Sequence, residues 1–266
     1  MMKRRDMLLG AAAGTLAAAS AAQTANAAVS GPRQYLELRR YSLATGEKRQ
    51  RFLDYCRDSL IPAYNRLGVN PVGAFSPLYG QNIPSYSLYL LLPFASLEAF
   101  AGQSAALLAD KEYCSKAAAI LDLPLSDPAF LRYESTLMLA FEGMPRLEVP
   151  AATAGKASRI LEMRTYESHS LKAAKKKIEM FNQGGEIAIF RAVGLNPVFY
   201  AETLAGAQMP CLIYMLSHEN MAARDSGWAA FGAHPDWVRL RADEQYKDTV
   251  SNITDIILRP LEFSQI

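Results

Sequence analysis

The sequence predicts an α+β fold in which one βαββαβ unit is built twice. The main observation behind this is a long-period duplication. Leu36-Glu37-Leu38-Arg39-Arg40-Tyr41 matches Leu161-Glu162-Met163-Arg164-Thr165-Tyr166 at a separation of 125 residues. Gly68-Val69-Asn70-Pro71-Val72 then matches Gly194-Leu195-Asn196-Pro197-Val198 at 126, and Gly80-Gln81-Asn82-Ile83-Pro84 matches Gly206-Ala207-Gln208-Met209-Pro210 at the same offset. A period this long is not that of a solenoid repeat and suits a small α+β half-domain. The second observation is that both copies show the same succession of hydrophobic periods, two residues and then three to four.

Each copy opens with a strand, residues 35–43 and 159–167, alternating Tyr35, Glu37, Arg39 and Tyr41 with Leu36 and Leu38. A helix follows. Its apolar stripe in the first copy runs through Phe52, Tyr55, Cys56, Leu60, Ala63, Tyr64 and Leu67, with Gly68 as terminator and a bend expected at Pro62. In the second copy Ile178, Phe181, Ile187, Phe190 and Val193 play this part before Gly194. Two strands joined by a Gly-containing turn come next, 70–79 with 84–93 and 196–204 with 210–218. Helical regions 96–121 and 219–246 precede the closing strands, 130–141 and 254–260. This order is the ferredoxin-like split unit, whose helices cover one sheet face only. Two units cover the bare faces by packing sheet to sheet, so the fold expected is α+β, tandem ferredoxin-like repeats packed as a pseudo-dimeric α+β barrel.

The chain has 266 residues, 50% hydrophobic and 20% charged, which suits a globular protein with a sizeable core. Lys3, Arg4 and Arg5 precede a mild apolar run ending in Ala25-Asn26-Ala27, the three-part pattern of an export signal. The arginine pair resembles the bacterial twin-arginine signal. Gly10, Gly14, Thr15 and Ser20 make the run weakly hydrophobic for a membrane span; an uncleaved anchor helix is the alternative reading. The organisation expected is a signal peptide at 1–27, a first half at 28–142, a linker at 143–157 and a second half at 158–266. Cleavage removes Lys3, Arg4, Arg5 and Asp6, so that 28 basic and 26 acidic side chains become 25 and 25. A neutral mature chain argues against nucleic acid as a partner and against a polybasic membrane anchor. The expected location is the periplasm or the exterior, with no membrane anchor after cleavage. Cys56, Cys114 and Cys211 match no zinc spacing and are too few for a disulfide scaffold, although a Cys56–Cys114 bridge stays open.

The two opening strands resemble those of the NIPSNAP family. The second copy resembles it more closely, through the run Met180-Phe181-Asn182-Gln183-Gly184-Gly185-Glu186-Ile187, Trp228-Ala229-Ala230-Phe231, Pro235-Asp236-Trp237 and Ile257-Leu258-Arg259-Pro260. The resemblance implies a dimeric α+β barrel of ferredoxin-like type and offers no agreed catalytic residues. Eukaryotic members are linked to mitochondria and vesicle traffic, roles that the export signal argues against transferring.

On the opening strands the leucine face is the better one for packing helices, which sends Glu37, Arg39 and Tyr41 into the barrel, facing Glu162, Arg164, Tyr166 and Tyr214. Carboxylates, guanidinium groups and phenols in an enclosed space can bind a polar ligand or perturb a pKa for acid-base work. The same Glu-x-Arg pairs also read as self-satisfied structural ion pairs. Gly184-Gly185 reads as close helix packing or backbone approach to a ligand; Lys172, Lys175, Lys176 and Lys177 read as a solvated helix face. Trp228, Phe231 and Trp237 read as core, and His169, His218 and His234 as capping or exposed side chains with no pattern demanding haem. No cofactor or metal is expected, catalytic residues stay unassigned and enzymatic activity is left open. Two functions remain in competition. One is an exported protein binding a small molecule in the barrel interior or the cleft between the halves; the other is a non-catalytic assembly module, homo-oligomeric or with a partner, whose barrel is fully packed.

Overall fold

The computed structural model describes residues 31–80 and 86–266. The export signal read in residues 1–27 and most of the first Gly-containing turn lie outside the described residues. The first half runs β1 (Tyr35–Ser42), α1 (Glu47–Tyr55), α2 (Ile61–Arg66), β2 (Gly73–Gly80), β3 (Ser87–Phe94), α3 (Leu97–Ala109), α4 (Lys111–Leu121) and β4 (Arg132–Ala140). The second runs β5 (Ile160–Glu167), α5 (Leu171–Asn182), α6 (Glu186–Ala192), β6 (Asn196–Ala205), β7 (Cys211–His218), α7 (Met221–Ala233), α8 (Pro235–Arg241) and β8 (Asn252–Pro260).

All eight strands close into one barrel in the order β1-β3-β2-β8-β5-β7-β6-β4. The expected α+β barrel of two ferredoxin-like units is therefore present, but the half-sheets meet edge to edge instead of stacking. β2 pairs antiparallel with β8 and β4 with β6, so each half's exposed edges satisfy those of the other.

Closure dictates which face of each strand is apolar. An eight-stranded barrel has room inside only for side chains, and here Leu36, Leu38, Phe75, Leu91, Leu161, Met163, Phe199 and Met215 fill it. Leu147 and Ile266 belong to the same cluster, with Ile266 packing at the end where β2 begins. The alternate residues point outward into two helix-covered cores. One joins Tyr41, Leu88, Leu90 and Leu92 to Phe52 and Tyr64; the other joins Tyr166, Leu212, Tyr214 and Leu216 to Phe181, Phe190 and Phe231. Burying each such side chain contributes about 1.5–3 kcal/mol.

The helix layer departs from the expected pattern at the same place in both halves. Pro62 lacks an N–H and its ring would crowd the carbonyl of Asp58. A π-helical turn over Cys56–Leu60 separates α1 from α2, with the Ile61 N–H bonding Cys56 O. The second half breaks between α5 and α6 at Gly184-Gly185. A Cβ on Gly184 would stand 2.5 Å from Met180 O, and Gly185 has φ +86°, so the glycines serve backbone packing and the turn. The long helical regions divide at Asp110, whose side chain caps α4, and at His234-Pro235, where the imidazole Nδ1 accepts the Asp236 N–H. Cys56, Cys114 and Cys211 are all free thiols, so the Cys56–Cys114 bridge does not form.

Lys177 corrects the expectation of a solvated lysine face. It is 4% exposed and its Nζ lies 2.7 Å from Glu186 Oε2, with Glu186 only 1% exposed. The ammonium also lies 4.7 Å from the Phe181 ring centroid and 5.7 Å from those of Tyr166 and Trp237. The turn at Gly185 brings Glu186 back toward Lys177, a contact that an unbroken helix period does not reveal. Burial pushes the Glu186 carboxyl up, against the pull of Lys177. At offsets of 125 and 126 the first half has Phe52 and Leu60, both buried. Removing one member leaves an uncompensated charge, so Lys177→Met or Glu186→Leu alone is expected to lose about 3–5 kcal/mol in urea unfolding. The double replacement, apolar like its counterpart, should return to within about 1 kcal/mol of the parent or exceed it.

Candidate functional site

Glu37, Arg39 and Tyr41 lie on the outer face of β1, beneath the helices. Glu37 accepts bonds from Arg39 Nε (2.9 Å) and Nη2 (2.8 Å), Gln103 Nε2 (3.0 Å) and Ser135 Oγ (2.7 Å). Arg39 also donates to Tyr41 Oη at 3.1 Å and to Gln103 Oε1 at 2.8 Å, and Tyr64 Oη donates to Gln103 Oε1 at 2.7 Å. The network is closed and desolvated. Burial pushes the Tyr64 phenol up to about 12, so it stays protonated and donating at neutral pH.

The second copy places Glu162, Arg164, Tyr166 and Tyr214 on the equivalent outer face. Glu162 is fully buried, accepting from Arg164 Nη1 at 2.9 Å, Arg224 Nη2 and Nε at 2.7 and 3.0 Å, and Trp228 Nε1 at 2.7 Å. His218 Nε2 lies 3.3 Å from the same carboxylate. Burial pushes this carboxyl up, but the polar groups of His218, Arg224 and Trp228 with the charge of Arg164 outweigh it and hold it well below the usual carboxylate range. Tyr166 and Tyr214 share a hydroxyl contact at 2.9 Å.

The inward placement expected for these seven residues is thus reversed, because apolar side chains fill the barrel and a buried carboxylate needs donors close by. The helices have them: Gln103 on α3, and Arg224 and Trp228 on α7. The two clusters brace sheet to helix and do not line the barrel.

What does line the barrel interior and remain accessible is a mouth at the end where β1 and β5 finish. It is a cavity of about 290 Å³ walled by strands from both halves. Its apolar walls are Leu38, Met163, Ile213 and Ile256. On the first half's side Arg40, Glu134 and Tyr89 meet, Arg40 standing opposite Glu134 in the β1–β4 register and opposite Tyr89 in β1–β3. Arg40 Nη2 alone donates to both Glu134 oxygens, at 2.7 and 2.6 Å, so this carboxylate is held through one nitrogen and not in the two-nitrogen fork geometry. Burial raises the Tyr89 pKa against the pull of Arg40, keeping the phenol a donor. The equivalent pairs across the mouth are Thr165 opposite Thr254 and Thr165 opposite Ile213. The mouth is therefore polarised, with an ion pair and a phenol facing hydroxyls and a branched alkyl group. Arg40 was legible: it is where the repeated hexapeptide departs most in charge, and it shares the strand face of Leu36 and Leu38.

The NIPSNAP family model matches residues 36–123 and 161–265, one stretch in each half. The chain belongs to the NIPSNAP family. Comparison with curated proteins finds no match. Among solved structures, this NIPSNAP chain is similar to a protein of Fusobacterium nucleatum provisionally named a monooxygenase, at 8% identity and TM-score 0.54, covering 87% of this chain and 94% of that one. It is also similar to a protein of Lactobacillus acidophilus provisionally given the same name, at 8% identity and TM-score 0.54, covering 86% and 94%. Both likenesses show the shared barrel fold alone. A NIPSNAP-like domain protein from Burkholderia xenovorans is 25% identical over 41% of this chain and 91% of its own, with TM-score 0.37.

Among the described residues of this NIPSNAP chain, no group of three or more His, Cys, Asp and Glu is placed to hold a metal ion, and no helix is long and apolar enough to cross a membrane. His169 is exposed, His234 caps α8 and His218 is enclosed beside Glu162.

The depressed Glu162 pKa has a sign that can be tested. Its stabilisation is present above the unfolded carboxylate pKa of about 4.3 and is lost as pH falls toward the lower folded value. Glu162→Gln is expected to cost about 3 kcal/mol at neutral pH. In thermal melts from pH 7 to pH 2, the gap between parent and variant should narrow steadily toward acid.

Proposed function

We propose that this NIPSNAP protein is a small-molecule-binding barrel whose ligand, an organic anion with a compact apolar body, sits in the mouth between the two halves. The observation that carries the reading is the end-on Arg40–Glu134 pair at the rim of an apolar cavity of about 290 Å³. An anion that displaces Glu134 meets Arg40 through two nitrogens, the bidentate geometry that the Glu134 carboxylate does not use, while its apolar part covers Leu38, Met163, Ile213 and Ile256. The Glu134 side chain is half exposed, so it can swing into water when displaced. Thr136, Thr165 and Thr254 supply hydroxyls that either donate or accept around the mouth. We further propose, from the arginine pair and apolar run before Ala28, that this binding takes place outside the cytoplasm.

The chemistry favours holding a ligand over transforming one. Arg40, Glu134 and Tyr89 are engaged with one another, and the histidines lie elsewhere. Octanoate is a suitable probe. Titration calorimetry should show it binding the parent protein, about tenfold more weakly or not at all in Arg40→Leu, and more tightly in Glu134→Gln, which removes the competing carboxylate. Equal affinity in all three would overturn the reading. Native mass spectrometry of protein from its own host, expected to show a retained small anion, reads ligand and assembly state together.

A further inference from the structure

A second cavity, of about 260 Å³, opens on the outside of the first half, between the β1–α1 layer and the connection from α4 to β4. Its floor is aromatic: Tyr41, Phe52 and Phe130 have ring centroids 4.9 Å (Tyr41–Phe52), 5.2 Å (Tyr41–Phe130) and 5.8 Å (Phe52–Phe130) apart. Tyr55, Leu123 and Leu125 complete the wall, and Leu125 at the lip is 96% exposed. Both lining tyrosines already take part in hydrogen bonds within the protein. Tyr41 Oη accepts from Arg39, and Tyr55 Oη shares a bond with Tyr113 Oη at 2.7 Å. No charged side chain lines the space. The connection that roofs it is clasped to α1 through Asp127, which bonds Lys48 and, at 3.1 Å, Arg51.

The duplication indicates what belongs there. The corresponding connection of the second half, between α8 and β8, carries Tyr246. It makes a short 3-10 turn over Glu244–Tyr246 and lays Tyr246, only 8% exposed, against α5, with Lys176 Nζ 5.5 Å from its ring centroid. The second half covers its helix with its own phenol ring where the first half leaves an aromatic-floored cleft.

We propose that the first-half cleft is a binding site for an uncharged aromatic molecule of one or two rings, held by ring packing on Tyr41, Phe52 and Phe130. The site is separate from the mouth, in position and in ligand chemistry. A planar ring matches the floor by edge and offset contacts, and the occupied hydroxyls with the absence of lining charge disfavour an ion. The volume of about 260 Å³ lies just below the usual range of small-molecule sites, which sets the limit of two rings.

The test uses 2-naphthol and the full chain. Titration calorimetry should show binding to the parent and unchanged binding to Arg40→Leu, because the mouth is not involved. Ala129→Trp, which fills the cleft from its wall, should weaken binding at least tenfold with an unaltered circular dichroism spectrum. Independently of any variant, intermolecular nuclear Overhauser contacts in the parent should reach Phe130 and Leu123. Absence of binding at millimolar 2-naphthol, tenfold weaker binding in Arg40→Leu, undiminished binding in folded Ala129→Trp, or Overhauser contacts confined to other residues would each overturn the proposal.

Discussion

Closure of the barrel at the β2–β8 and β4–β6 seams is the constraint on which the rest of the structure depends. Each half-sheet alone would expose two edges and one bare apolar face. Pairing the edges satisfies the backbone groups of both halves and encloses the bare faces in one step. Once the barrel is closed, its interior tolerates apolar side chains of limited volume, and Leu36, Leu38, Leu161 and Met163 must face inward. Period-two alternation then forces Glu37, Arg39, Glu162 and Arg164 to the outer face under the helices, where the first three are buried and Arg164 partly so. These charges are sustainable because α3 and α7 reach down with Gln103, Arg224 and Trp228. Their role is to fix how the helix layer sits on the sheet.

The two copies keep this bracing and differ in how it is completed. Glu37 is satisfied by one arginine with an amide and a hydroxyl, whereas Glu162 takes two arginines and an indole N–H. The helix layer shows the same freedom. A π-helical turn before Pro62 in one half and a diglycine break in the other solve one geometric problem, bending an amphipathic segment over a twisted sheet. The break also brings Lys177 and Glu186 together inside an aromatic core, where the other copy packs Phe52 and Leu60.

Much of this was legible in the sequence, because duplication registers and hydrophobic periods are local properties. The offsets of 125 and 126 residues locate both units, and alternation assigns β1 and β5 their two faces. Alternation alone does not tell which face turns inward. That depends on where donors for Glu37 and Glu162 are found, and those donors lie 66 and 62 residues away, on Gln103 and Arg224. The burial of Lys177 was hidden for a similar reason: its partner is brought close by Gly185 at φ +86°, which breaks the helical period from which a solvated face is inferred. The mouth was within reach. Arg40 and Thr165 are matched positions of opposite character on the inward face, so the difference between the two copies itself marks Arg40.

That difference carries a wider argument. In a duplicated fold, positions alike in both halves answer to a shared structural demand, and here they are the Glu-x-Arg braces and the Leu and Met barrel filling. Positions that differ without a packing reason are where one half has been released from that demand. Arg40 and Glu134 against Thr165 and Thr254 break the pseudo-symmetry of a mouth to which both halves contribute, giving it a charged and an uncharged side. The open cleft over Tyr41 and the Tyr246-covered surface of α5 break it a second time, on the outside of the barrel. Two identical halves would present every outer surface twice and a symmetric mouth once. Divergence at these positions turns a symmetric scaffold into one with a polarised mouth and an open aromatic cleft on one half, which is the asymmetry that selective binding of a small molecule requires.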